Sequence, residues 1–316
     1  WKSPNGKEFM GFDFSASYPG TRSAPAIKGR LLYAQSGTGY LSCFHIRSGE
    51  VIWAVDLVKD FQGKPGDFGY SEVPVVDADK VYCFAGGKEH NILALDRHTG
   101  RLVWSSPVKR DSFAYSTPIL LNLSKRKVLV GTSRNYIYVV DCKDGKLLSS
   151  YQLEDIKYGY EHCNSVVYQD GCIYFVPAEE HGQGSIKLQL GENGDTLKEV
   201  WRNEEVVNVF EGFVVVANRL YTTMESKKLL TLDTETGRII NSVRAESGNI
   251  AYADNKLFIY GHNGRVQLFG LESGAPELNS EFRIHEGSGH HFSFPVIADG
   301  VMYIRRGDAL MAYAVK

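Results

Sequence analysis

The chain has no long hydrophobic run. Runs such as FVVVA at 213–217 are far short of the ~18 residues that a membrane-spanning helix needs. Net charge is nearly absent: 35 Lys and Arg stand against 37 Asp and Glu, for a balance of −2. No whole-molecule field therefore draws the protein to nucleic acid or to an anionic membrane. Cysteines are few, and no two are adjacent. The five, Cys43, Cys83, Cys142, Cys163 and Cys172, are an odd number, which leaves at least one thiol outside any intramolecular disulfide. Their spacing gives no zinc pattern. Tryptophan is scarce at four residues, Trp1, Trp53, Trp104 and Trp201. The chain opens on Trp1 rather than Met, as a trimmed or processed chain does, so a leader ahead of it would not be visible.

What is present is a repeated strand pattern. In NILALDRHTGRLVW, residues 91–104, Ile92 to Leu95 is a continuous apolar run and Asp96 closes it. The loop ends on Gly100, which can take positive φ, and Arg101 to Trp104 returns. An apolar run on both faces calls for protein on both sides of its sheet. The hairpin recurs as CFHIRSGEVIW ending at Trp53, VVDCKDGKLLS near Gly145, LGENGDTLKEVW ending at Trp201, TLDTETGRIIN near Gly237 and FGLESGAPEL near Gly274. A second kind of hairpin alternates with these. Its last aromatic or apolar residues, Tyr33, Tyr82, Leu129, Tyr174, Tyr221, Phe258 and Tyr303, are spaced 45 residues apart on average. Seven such steps use the whole chain, and the period fits four strands per repeat.

The sequence thus predicts an all-β fold, a seven-bladed β-propeller with four-stranded antiparallel blades, as one domain over residues 1–316. The seventh repeat ends at LMAYAVK without a fourth strand, and Trp1 is the residue type that ends one. The N-terminal strand around Trp1 is therefore expected to close the last blade. Pro25, Pro74, Pro118 and Pro295 fall at the start of first strands, an edge position where a missing N–H costs little.

LALDRHTGRLVW, YLSCFHIRSGEVIW and LLTLDTETGRII resemble the repeat of the PQQ-type, quinoprotein-like β-propellers, a family that includes quinoprotein alcohol dehydrogenases and the outer-membrane assembly lipoprotein BamB. EHCNSVVYQDGCIYFVPAEEHGQGSIKLQLGENGDTLKEVW, residues 161–201, is similar to bacterial extracytoplasmic members. The resemblance implies the fold and a periplasmic or extracellular location, whereas fold alone implies no activity. In the family's dehydrogenases, PQQ lies on an indole beside calcium held by Glu, Asn and Asp, under a disulfide of adjacent cysteines. Here all four tryptophans fall at the ends of fourth strands and no cysteines are adjacent. The expectation is no cofactor, with PQQ and calcium as the alternative, and no metal.

Hairpin register places the candidate site residues. If Asp170 and Gly171 form a two-residue turn, Gln169 faces Cys172, and Cys163 then lies about 20 Å away at ~3.3 Å per residue, too far for a disulfide. The same register sets His162 opposite Glu179 and Glu161 opposite Glu180, with His181 beside them. In the seventh repeat the turn at Asp299 and Gly300 sets His291 near Asp308 and Ser293 near Arg306. In the second, Glu72 faces Ala85. By equivalence Arg22, Tyr70, Tyr115, Arg134, Tyr160, Asn208, Glu211 and His290 join the same opening.

A funnel with aromatic walls and a few charges fits a protein segment or a small polar ligand. Loop residues are also polar simply because water solvates them, and no catalytic residue is assigned. The reading is a monomeric, non-catalytic binding or scaffold module of the bacterial cell envelope. The alternative is an enzyme, either a PQQ-dependent alcohol dehydrogenase or a metal-assisted lyase or hydrolase using His162, His181, Glu179 and His291.

Overall fold

The computed structural model describes residues 1–112, 114–153, 162–178 and 184–315. Six four-stranded antiparallel sheets and one three-stranded sheet follow in chain order, each built from consecutive strands. They cover 26–56, 75–106, 119–152, 167–203, 213–244, 248–283 and 296–314, and are called blades 1 to 7 below. The fold is a seven-bladed β-propeller. Its residues pack as two compact units, Trp1–Val166 with Gln189–Lys198 and Val167–Leu188 with Glu199–Lys316.

The local sequence explains each blade. In blade 2 the strand Ile92–Asp96 is buried over its four apolar residues and pairs on both edges, with Lys80–Phe84 and Leu102–Ser106. The Asp96 carboxylate then organises the turn: one oxygen accepts from the amides of His98 and Thr99 at 3.0 and 2.8 Å and from the Thr99 hydroxyl at 2.8 Å. Asp233 repeats this in blade 5 with Glu235 and Thr236. These hydrogen bonds favour the charged form, with the Thr99 hydroxyl leading for Asp96 and the Thr236 amide for Asp233, and hold both carboxyls below their ordinary range. The glycine amide closes the turn onto the carbonyl of Asp96 or Asp233 at 2.8 Å. A register shift in the adjoining ladder accompanies each turn, at Ala94/Leu95 and Thr231/Leu232.

The turn glycines have a second role. Gly49, Gly100, Gly145 and Gly237 have φ between +70° and +77°, and a Cβ on any of them would fall 2.4–2.7 Å from an indole carbon of Trp1, Trp53, Trp104 and Trp201 respectively. Each indole Nε1–H donates to a backbone carbonyl of that same turn region, at Ile46, Arg97, Cys142 and Thr234, over 2.8–3.0 Å. Trp53, Trp104 and Trp201, each on a blade's fourth strand, are thus latched onto the third-to-fourth-strand turn of the next blade, and Trp1 sits in the same way on the turn of blade 1. Trp53, Trp104 and Trp201 are at most 9% exposed. Truncating a side chain buried like this typically costs about 3–5 kcal/mol. Tyr33, Tyr82 and Tyr174 lean on these three indoles at 5.8–6.3 Å between ring centroids.

The first strands start directly after Pro25, Pro74, Pro118 and Pro295. Asp170 and Gly171, like Asp299 and Gly300, take positive φ between paired strands, so Gln169 faces Cys172 and Ala298 faces Val301. All five cysteines are free thiols. The last blade differs from expectation in its hydrogen bonding: residues 296–314 form three strands, and residues 1–12 adopt none. Trp1 still takes the latch position, stacked 6.1 Å from Phe44 of blade 1. One face of blade 7 packs through Met302 and Ile304 onto Phe258 and Tyr260 of blade 6. On its other face Val296, Tyr303 and Leu310 are exposed.

Candidate functional site

Four of the expected residues come together in the N-terminal unit. Arg22 lies half-buried with its guanidinium 5.1 Å from the centre of the Phe9 ring and 5.7 Å from that of Phe68. It donates to the carbonyls of Gly20, at 3.3 Å, and Tyr18. Burial lowers its pKa, partly offset by the Tyr115 hydroxyl and Glu8. Phe68 is fixed from behind: its amide donates to the Tyr115 hydroxyl at 2.9 Å, and the Tyr115 and Tyr18 rings meet its ring edge-on at 5.9 Å. Tyr70 is fully buried, donates to the Ala85 carbonyl at 2.9 Å and packs against Gly39. Glu72 is 3% exposed. One of its carboxylate oxygens accepts from the Ser71 amide at 3.3 Å, and its carbonyl accepts from Ser23 at 2.7 Å. Burial first, and the Glu72 charge second, push Tyr70, Cys83 and Tyr138 upward in pKa.

His162 is buried, and its carbonyl accepts from the Tyr115 amide at 2.8 Å. Arg134 belongs to a separate network in which its amide donates to Ser112, while Asp111 accepts from the Ser133 hydroxyl and from the amide and side chain of Asn135 at 2.6–2.8 Å.

The C-terminal unit holds a different cluster. Glu211 is fully buried and satisfied: it accepts from the amides of Val209 and Phe210 at 2.8 and 2.9 Å and from Ser247 at 3.0 Å. This fixes Phe210 against His262 at 4.9 Å and against Phe292 at 5.0 Å. His290 stacks on the outer side of Phe292, with ring centroids 4.9 Å apart and planes 7° apart. Asn208 binds the Gly212 carbonyl and Thr222. His291 shares a 2.5 Å hydrogen bond with the Tyr260 hydroxyl, rather than meeting Asp308, which accepts from Ser288. The reason lies in the register: strand pairing in blade 7 ends at Val296, so counting back five more residues does not hold. Ser293 does reach this edge, through the Arg305 carbonyl at 2.7 Å. Arg306 donates to carbonyls of Gly289, His285 and Glu286. Burial lowers the pKa of His262 and of His291, and Arg306 and Arg283 add to the effect on His291.

Tyr160, Glu161, Glu179 and His181 lie outside the described residues. The rings that organise both clusters, Phe9 and Phe68 in one and Phe210, His262 and Phe292 in the other, were not among the expected residues. The alternation of His290, Phe292 and Phe294 was the one signal for them in the sequence. No helix among the described residues is long and apolar enough to cross a membrane.

Latched repeats with aromatic and polar loop clusters define a β-propeller of the quinoprotein-like class. Within it, the chain belongs to the family described as "Outer membrane protein assembly factor BamB", whose family model matches residues 1–242. The factor of that name from Shewanella oneidensis is 21% identical over 265 residues, covering 80% of this chain and 65% of that one. The chain spans 29–65% of the length of the curated relatives it matches. Among solved structures, BamB from Moraxella catarrhalis superposes with a TM-score of 0.69 at 14% identity, over 92% of this chain and 81% of that one. A europium-containing methanol dehydrogenase superposes at 0.62 and 10% identity, over 90% and 74%. At such identities the likeness is one of fold.

PQQ with its metal, which the dehydrogenase branch of the fold implies, does not fit the residues present. The four indoles are engaged in latches. No cysteines are adjacent, and no group of three or more His, Cys, Asp or Glu among the described residues is placed to hold a metal.

Proposed function

We propose that the protein is a non-catalytic binding propeller of the bacterial cell envelope, periplasmic, which holds a protein partner during the assembly of outer-membrane proteins. The observation that carries this reading is the match to assembly factors over residues 1–242. The engagement of all four tryptophans with strand-turn glycines supports its non-catalytic half, because a quinone platform needs an indole face free of such duty. The loop clusters supply what a protein partner requires: fixed aromatic surface with a few oriented charges. Removing the gene from its host should lower the amount of folded, heat-modifiable outer-membrane barrels. The purified protein, given PQQ and calcium, should leave an alcohol-dependent dye-reduction assay at background. Unchanged barrel levels together with stoichiometric quinone uptake would overturn the reading.

A further inference from the structure

Arg22 is a cation held in place for something. Its guanidinium is half-buried against Phe9 and Phe68, and Phe68 is itself locked by the Tyr115 hydroxyl, so the group is oriented rather than mobile. Of its five N–H donors, two go to carbonyls among the described residues, those of Gly20 and Tyr18. No Asp or Glu among the described residues forms an ion pair with it. The nearest acid in effect, Glu8, gives a carboxylate oxygen to the Gly37 amide at 3.1 Å. A planar guanidinium with rings against it leaves its edge as the place where a carboxylate can dock with two parallel hydrogen bonds, and lysine cannot reproduce that geometry.

We propose that Arg22 is the anchor of a docking site in the N-terminal unit for an acidic peptide segment, whose carboxylate meets the guanidinium while a neighbouring apolar side chain lies on the surrounding rings. Charge complementarity selects this occupant. Among the described residues Arg22 is the one cation set against the Phe9 and Phe68 rings, which suits one carboxylate rather than a phosphate that draws a cluster of arginines. The inference rests on the protein-binding reading above and names the partner's chemistry.

The test follows the backbone amide resonances of Gly20 and Phe68 in the full chain as the capped peptide acetyl-Phe-Glu-Phe-Asp-amide is added, alongside its Gln/Asn counterpart. The acidic peptide should give a saturable shift, the amide peptide should bind at least tenfold more weakly, and Arg22→Gln should abolish the difference. Arg22→Lys, which keeps the charge and controls for folding, should still weaken binding severalfold. Equal response to both peptides, or full binding by Arg22→Gln, overturns the proposal. If Arg22→Gln restores normal barrel levels in the deletion host and its native partner still co-purifies at wild-type yield, the site is wrong while the scaffold reading stands. If the wild-type gene has no effect on barrels, the scaffold reading itself fails.

Discussion

The joint between blades 2 and 3 and the cluster between blades 6 and 7 solve one problem in two ways. At the first, Trp104 is buried on Gly145, donates to the Cys142 carbonyl and leans on Tyr82. At the second, no tryptophan is available: the fourth strand Glu277–Arg283 of blade 6 is exposed along its length. There the segment leading into blade 7 is held by Tyr260 on His291 and by the Phe210, His262 and Phe292 rings. The indole latch is apolar with one neutral hydrogen bond, so it is indifferent to pH. The imidazole cluster contains groups that titrate. Packing can therefore be permanent in one place and conditional in another.

The comparison breaks most sharply at Trp104. Replacing it with alanine leaves a cavity and an unpaired Cys142 carbonyl, and should cost about 3–5 kcal/mol in urea unfolding. A loss below ~1 kcal/mol would remove the latch from the account. The glycines sharpen it next. Gly145→Ala places a Cβ 2.5 Å from the Trp104 ring at φ +77°, whereas Gly274, at φ +86°, has no neighbour within 4 Å. The first should cost about 2–3 kcal/mol through strain and steric displacement, the second about 1 kcal/mol through backbone alone. Equal losses would mean that the indole contact contributes nothing.

The pH dependence should be the smallest effect, and its sign is fixed. His262 and His291 are held below their ordinary value of 6.5, so near and below that pH the unfolded chain binds more protons than the folded one. Stability then falls as pH drops through 6.5 and on toward the lowered folded values. Amide protection factors in residues 285–295, which take out the base-catalysed fall of the intrinsic exchange rate, should decrease between pH 7.5 and 5. His262→Phe should flatten that response, while protection around Trp104 stays constant. A change of equal size at both places would merge what is here kept apart.

Much of this was legible in the sequence because it is local. Gly100 and Gly145 mark turns that demand positive φ, the four prolines mark strand starts, and Asp170 with Gly171 fixes a register one residue either side of the turn. For the candidate residues, type alone did not give burial. Tyr70, Glu72, His162 and Glu211 were expected at an opening, yet each is buried, because loop chains fold back and use these groups for their own hydrogen bonds and packing. Phe9 and Phe68 lie in segments without strand periodicity, so nothing in spacing could bring them to Arg22. His291 shows the limit of register: beyond the last ladder bond a hairpin no longer dictates who faces whom.

The central claim is that the tryptophans join blades and carry no cofactor, and the indole Nε1–H resonances report on it directly. Those of Trp53, Trp104 and Trp201 should exchange slowly with solvent and stay in place when PQQ and calcium are added in excess. A saturable shift of any one of them at stoichiometric quinone would contradict the account.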